Sequence, residues 1–374
     1  MKKYKYFFVA TWPNIKNGEY ELLEKFKKCK DVALIDRNGF LLSSGKFYES
    51  YANSDSLILT IHYDTKNNFH HKSIYVGLNP LTFELINTLE TFDTHMKEMK
   101  GFDYYVSNGS KVIESYLEVL GDVLPSNFYP SFSLSQIKSM ETIKEKIKIN
   151  KVFYCGINWE RLTESDYSRS NILKILDDSN LIDIYGPKLV DNKFLWDGYK
   201  NYCGEIPFDG ESLIEKASKY KAVLNIDSNA HRNTGTISSR IWESVLSKSK
   251  LISYENKYFE DIDYEGEYLE IKYDDDSKEV IKKIEKALES DNLSKEINID
   301  KYSIEHTLSN ISDNIKKKSE TYSDYILKNA VLVDISFLYE ISPVNLNFFH
   351  QKFQFPYEVS KKAIYNEIDE ILLN

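Results

Sequence analysis

The sequence predicts an α/β protein of two Rossmann-like domains facing a cleft, followed by an aromatic and helical C-terminal appendage. Three observations carry this. Short apolar runs alternate with helical patterns, which implies mostly parallel, doubly wound sheets. The alternation occurs twice, on either side of a charged stretch from Ser135 to Lys148 that lacks a strong apolar face. At 374 residues the chain is too long for one ordinary core. The domains are set at residues 1–145 and 150–328, and the appendage at 329–374.

Residues 4–10 (YKYFFVA) read as the opening strand, followed by a loop from Thr11 to Gly18 and a helix over Tyr20–Lys28. Further strands are expected at Val32–Ile35, Ser56–His62, Ser73–Val76 and Asp103–Val106. Helices are expected at Thr82–Lys97 and Lys111–Leu120. Ser135–Lys148 is read as the interdomain linker. Lys151–Gly156 (KVFYCG) restarts the pattern, with a loop to Ser168 and a helix over Arg169–Asp177. Leu181–Gly186 gives a strand and turn, Tyr202–Gly204 a short strand, and Ser212–Lys219 a helix. Tyr268–Lys272 is a late strand, and Ser277–Ser290 and Ile304–Ile326 are helices. Asp274-Asp275-Asp276 is an acidic turn before the first of these helices.

The most informative stretch is Ala222–Glu255. An apolar run, Ala222–Ile226, reads as a buried strand. A polar, Gly-containing loop from Asp227 to Thr236 leads to a helix with Ile237, Ile241, Val245 and Leu246 near one face. Ser238, Ser239, Arg240 and Glu243 share its opening turns, and Leu251-Ile252 begins the next strand. A helix N-terminus with free N–H groups suits a phosphate or sugar hydroxyls.

After Ala330 the chain changes character. Val331–Tyr339 is strongly apolar, Asn345–Tyr357 is aromatic with Pro356 near its end, and Lys361–Leu373 is an amphipathic helix. Two roles stay open for this appendage: packing on the first domain, or a contact that makes a homodimer. Membrane insertion is disfavoured because the apolar run is too short to span. Peripheral association with the inner face of a membrane stays open.

Several classes are disfavoured. The formal charge of -10 argues against a general nucleic-acid binder. The 3 cysteines, Cys29, Cys155 and Cys203, lack paired metal spacing and read as reduced core thiols of a cytoplasmic protein. The lysines and apolar run at the N-terminus break at Trp12-Pro13-Asn14, which favours a strand over a signal peptide. No G-x-G-x-x-G follows either opening strand, which disfavours a dehydrogenase.

The residues around Arg240 carry a resemblance. Asn233-Thr234-Gly235-Thr236, then Arg240 and Glu243, then Leu251-Ile252, resemble the loop, Arg-x-x-Glu helix and strand of GT-B glycosyltransferases. The similarity is to the group-1 branch related to spore-maturation glycosyltransferases. Tyr154–Trp159 resembles the strand and loop that open the donor domain in that branch. Tyr185-Gly186-Pro187 resembles the turn after its second strand, and Glu305-His306-Thr307 the start of its late helix. The resemblance spans roughly residues 150–325, and the first half fits only as architecture.

The resemblance implies a nucleotide-sugar donor held by the second domain and a glycan or protein acceptor held by the first. Likeness to this branch implies transfer of the sugar to an acceptor hydroxyl in bacterial surface glycan or glycoprotein synthesis, with retention slightly preferred. Glu243 matches the glutamate that accepts from the nucleotide ribose, a task suited to a carboxylate. Arg240 matches a group that faces the diphosphate or pairs with Glu243. Asn233, Thr234, Gly235 and His231 would sit over the donor, with Asn158 and Arg161 near the diphosphate. The acidic Glu-x7-Glu pattern of many retaining relatives is missing, with Arg232 near the first acidic position. No essential metal and no further cofactor are implied.

In the first domain His62 ends the SLILTIH strand, where an acceptor base would sit, and imidazole suits proton transfer near neutral pH. A structural histidine is the competing reading. Thr11, Trp12 and Asn14 follow the first strand and would line the acceptor side. Two other functions remain: a non-catalytic nucleotide- or sugar-binding protein, and a nucleotide-sugar epimerase. The epimerase would need acid/base carboxylates in the cleft, and the sequence offers no convincing set.

Overall fold

The computed structural model describes residues 2–11, 13, 18–62, 73–78, 102–107, 114, 117–118, 121–127, 132–141, 148–158, 169–207, 209–227, 238–255, 264, 266–290 and 298–330. The expected helix at Thr82–Lys97 and the appendage 331–374 lie outside them, as does most of the helix at Lys111–Leu120.

Two six-stranded parallel sheets organise these residues. In the first, Tyr4–Val9 (β1) lies between Val32–Ile35 (β2) and Ala52–Thr60 (β3), with Phe7 level with Ala33 on one side and Ile58 on the other. Ile74–Leu78 (β4), Tyr104–Ser107 (β5) and Val123–Asn127 (β6) extend it beyond β3. Central parallel strands are covered on both faces, so they read as continuous apolar runs. In β1, Tyr6 and Phe8 point into one core while Phe7 and Val9 point into another.

The second sheet starts with Ile149–Cys155 (β7) at its centre. Ile182–Tyr185 (β8) flanks it on one side; the chain then makes a small hairpin, Leu189–Val190 (β9) with Lys193–Phe194 (β10), and Tyr202–Gly204 (β11) pairs on β8. Tyr220–Asn225 (β12), Lys250–Tyr254 (β13) and Tyr268–Ile271 (β14) line up on the other side of β7. The fold class expected from the sequence is thus present as two parallel, doubly wound units.

Helices cover both sheets: Gly18–Phe26 (α1), Leu134–Glu141 (α2), Arg169–Asp178 (α3), Glu211–Ala217 (α4), Ser239–Leu246 (α5), Ser277–Glu289 (α6) and Ile304–Ala330 (α7). The acidic turn expected at Asp274–Asp276 caps α6: the Asp276 side chain accepts from the Glu279 N–H.

Three features differ from the sequence reading. The stretch read as a linker contains α2, and its Ile137 is buried with Phe132, Ile214 and Leu246. A single buried isoleucine gives too little periodicity to signal a helix. Strand β6 carries Pro125, which masks a strand in sequence; the sheet tolerates it because β6 is an edge. Cys203 is exposed rather than a core thiol, whereas Cys29 is buried.

The last described helix, α7, returns to the first half. Ile304, Leu308, Ile311 and Ile315 recur at helical spacing and bury in the same core as Tyr6 and Phe8. The Tyr6 hydroxyl donates to the Leu308 carbonyl at 3.0 Å, and Lys318 pairs with Asp122 at 2.9 Å. Where α7 begins, the two crossing segments touch: Phe132 and Ser303 form a parallel bridge, and the Ile304 N–H donates to the Phe132 carbonyl at 2.9 Å.

Each sheet has a point where the strand order reverses. From β1 the chain goes to β2 on one side and then to β3 on the other; from β7 it goes to β8 and then to β12. The carboxyl ends of strands flanking such a reversal form the crevice where open α/β sheets bind ligands.

Candidate functional site

At the first reversal, three residues from separate elements meet. Thr11 follows β1, Glu19 sits in the opening turn of α1, and His62 follows β3. The Thr11 N–H donates to Glu19 Oε1 at 2.6 Å. The other oxygen, Oε2, lies 3.3 Å from His62 Nε2. That contact is close enough for an ion pair when the imidazole is protonated, although Nε2 completes no hydrogen bond. The Glu19 side chain is 2% exposed and that of His62 20%. A buried carboxylate is costly unless it accepts hydrogen bonds; here the Thr11 N–H supplies one and the N-terminal end of α1 favours the negative charge. The His62 backbone N–H donates to Thr60 Oγ1 at 3.1 Å, which shapes the turn leaving β3. His62 therefore presents one nitrogen to an acid and leaves Nδ1 as the other polar edge of the ring.

At the second reversal the central group is Arg240 in the first turn of α5. Ser238 caps this helix, its side chain accepting from the Arg240 N–H. The Arg240 side chain reaches across to the end of β7, where Nε and Nη2 donate to the Cys155 carbonyl at 3.1 and 2.6 Å. Its guanidinium also lies over the Tyr154 ring, 5.2 Å from the centroid. Burial opposes its charge, but Tyr154, Glu243, Cys155 and Asp227 together outweigh that, and its pKa rises above the ordinary guanidinium value.

Glu243, one turn along α5, is buried, and Oε1 accepts from the Ser239 hydroxyl at 3.2 Å. At the end of β12, Asn225 is fully buried; its amide donates to Asp227 Oδ1 at 3.0 Å and to Ser253 Oγ at 3.3 Å. The Asn225 Oδ1 has no hydrogen-bond partner among the described residues, so a buried acceptor waits at the mouth of this crevice.

Two glycines let the strand ends converge here. Gly186, with φ of 144°, packs so closely that a Cβ would strike the Gly156 carbonyl oxygen. A Cβ on Gly156 would in turn strike the Arg240 guanidinium. The Tyr185-Gly186-Pro187 turn thus has a steric reason for its glycine.

Of the residues singled out in sequence, the structure brings Thr11 and His62 together at one crevice, and Arg240 and Glu243 at the other. Asn158 follows β7 but is buried, its amide donating to the Leu195 carbonyl at 3.1 Å, a contact that holds the loop to the scaffold. Trp12, Asn14, Arg161, His231, Asn233, Thr234 and Gly235 lie outside the described residues. Glu19, Asn225 and Asp227 were missed. An acid in the first turn after an opening strand was the available signal for Glu19, and the Asn-x-Asp at a strand end for the other two. Among the described residues no group of three or more His, Cys, Asp and Glu side chains is arranged to hold a metal ion. No described helix is long and apolar enough to cross a membrane.

No family model matches the chain, and no curated protein matches it. Solved structures do. HepE from Anabaena in complex with UDP is 12% identical, with 85% of this chain and 100% of that one covered and a TM-score of 0.49. WaaG, a glycosyltransferase involved in lipopolysaccharide biosynthesis, is 11% identical over 81% of this chain and 98% of its own, with a TM-score of 0.45. S. aureus MnaA with UDP is 12% identical over 84% and 96%, with a TM-score of 0.44. Identity at this level says nothing about substrate.

Proposed function

We propose that the protein is a nucleotide-sugar-dependent glycosyltransferase, with the donor at the second crevice and the acceptor at the first. The observation that carries this is the pairing of opposite chemistries at the two reversals: an imidazole backed by a buried carboxylate, and a guanidinium fixed beside a buried glutamate. In this reading Glu243 accepts from the nucleotide ribose and the remaining Arg240 N–H groups face the diphosphate. Asn225 Oδ1 offers a further acceptor.

The acceptor hydroxyl gives its proton to His62 Nδ1 as its oxygen bonds the anomeric carbon. The bond from that carbon to the phosphate oxygen breaks, and the nucleoside diphosphate leaves with the electron pair, its charge met by Arg240. The Glu19 carboxylate, 3.3 Å from Nε2, stabilises the imidazolium that results. A base on the acceptor favours a single displacement with inversion, in place of the retention preferred from the sequence resemblance. Surface glycan or glycoprotein synthesis remains the expected setting.

The test is a thermal-shift panel of UDP, GDP, CMP, ADP and dTDP with their sugars, on wild type and Glu243→Ala. A ligand at a hundredfold excess over its dissociation constant stabilises by about 2.7 kcal/mol. One nucleotide family should stabilise wild type and lose most of that effect in the variant. If none shifts the wild type, the donor reading fails. Binding without release of nucleoside diphosphate, with any acceptor hydroxyl supplied, would instead favour the non-catalytic binder.

A further inference from the structure

A cavity opens at the opposite end of the first sheet, at the amino ends of β1 and β2. It is walled by α2 after the crossing and by the start of α7. Its floor is apolar: Tyr6, Val32, Leu308 and the Cys29 side chain are all buried. Its rim is basic, with Lys5, Lys28, Lys30 and Lys138 facing Asp31 and Glu305. The chain as a whole carries -10, so a concentration of lysines around one concavity is against the overall balance.

The charged groups of the rim are not equivalent. Lys28 is taken up by Glu211 of the second half, at 2.5 Å. Glu305 is also engaged, its Oε2 accepting from the Leu134 N–H at the start of α2 at 2.8 Å. Burial, then the carboxylates of Glu305 and Asp31, push the Cys29 thiol far up, so it adds no negative charge. Lys5 lies over the Tyr6 ring, 5.3 Å from its centroid. Lys30 and Lys138 are exposed and have no ion-pair partner among the described residues. What remains is a recess with an apolar floor and three ammonium groups that have no carboxylate partner among the described residues. The lysines of the lining outnumber its two carboxylates, so the balance of charge around the recess favours an anion. Lysine is a compact point charge that suits a phosphate oxygen.

From this placement we infer that the cavity is a second, non-catalytic site for a phosphate-bearing anion, held by Lys5, Lys30 and Lys138 from both sides of the crossing. The proposal does not depend on the transferase reading, because these residues lie at the end of the first sheet away from His62 and none of them is assigned to donor or acceptor. The phosphate could belong to a soluble compound or to a lipid headgroup, and the two sources separate in experiment.

The experiment uses the full chain, as wild type and as K30E/K138E, with K30Q/K138Q as a milder second variant. Both positions are exposed, and unchanged melting without ligand would confirm that the variants fold. Inorganic pyrophosphate binding is measured by calorimetry. Co-sedimentation is measured with vesicles of phosphatidylcholine alone and with added phosphatidylglycerol. Pyrophosphate bound by wild type and weakened by about tenfold or more in K30E/K138E supports a soluble source. Sedimentation only with the anionic vesicles, lost in the same variant, supports a headgroup. K30Q/K138Q should fall between. Binding of neither probe, or binding that both variants retain, overturns the inference.

Discussion

At the end of the first sheet a buried carboxylate faces an imidazole; at the end of the second a half-buried guanidinium faces a backbone carbonyl. The two crevices share a topology, with the strand order reversing beside the central strand in each. They differ in how the charged group is held. Glu19 is fixed by one backbone N–H and leaves its second oxygen toward His62, 3.3 Å away. Arg240 is fixed by two donations to one carbonyl and by the ring of Tyr154. The first arrangement lets a proton move. The second holds a charge still. On this difference rests the proposal that proton transfer belongs to one half and anion recognition to the other.

The sharpest way to break that assignment is to remove the imidazole. His62→Ala should lower turnover by about 10²- to 10⁴-fold, the usual contribution of a positioned base. The stabilisation produced by nucleotide should stay unchanged, as read in the same melting assay. A variant that lost nucleotide binding while keeping turnover would reverse the roles of the two crevices. Next in size is Arg240→Met. It removes the positive charge that acts on Glu243 and Asp227 and both donations to the Cys155 carbonyl, and hydrogen bonds from a charged group contribute about 1.5–3 kcal/mol. Chemical denaturation would read this as a loss confined to the second half, together with loss of the nucleotide effect.

Glu19→Gln is the finer probe of the first crevice. It keeps the acceptor for the Thr11 N–H but removes the charge that stabilises the imidazolium. Turnover should fall by about 10- to 100-fold, less than for His62→Ala, since only part of the contribution of the base is lost. A fall as large as that of His62→Ala would mean that Glu19 itself takes the proton.

How much of this was legible beforehand depends on the range of the interaction. The central strands were readable because burial on both faces forces unbroken apolar runs such as YKYFFVA and KVFYCG. The α5 helix was readable because Ile241, Val245 and the Ser238 cap announce themselves locally. Strand β6 was hidden by Pro125, and the β9–β10 hairpin by its length of two residues per strand. Its turn carries Asp191 and Asn192 at φ of 49° and 63°, residue types that tolerate this region. Periodicity identified α7 as a helix but could not say which core it joins, because that is settled by Tyr6 and Phe8 at the other end of the chain. The Glu19–His62 contact and the reach of Arg240 to Cys155 were invisible for the same reason. Each joins residues brought together only by the crossing of parallel strands.

The smallest predicted effect separates stability from function in the second half. Asp177 ends α3 on the outer side of the sheet, and its side chain accepts from the backbone N–H groups of Lys200 and Asn201 at 3.0 and 2.8 Å. Burial raises its pKa, but those two bonds, the Asn201 amide and Lys174 outweigh it, and the carboxyl titrates below the ordinary aspartate range. A depressed folded pKa means that the stabilisation is fully present above the unfolded value, about 3.9, and is lost as pH falls through the folded value. Asp177→Asn should therefore cost about 2 kcal/mol at neutral pH, as expected for hydrogen bonds to a charged group. The difference between variant and wild type should shrink on acidification below about pH 4. Nucleotide-induced stabilisation should be the same in both, because Asp177 touches neither crevice. A variant that lost the nucleotide effect as well would show that the outer face and the Arg240 crevice are coupled, and that the second half is less of a rigid holder than its anchored arginine implies.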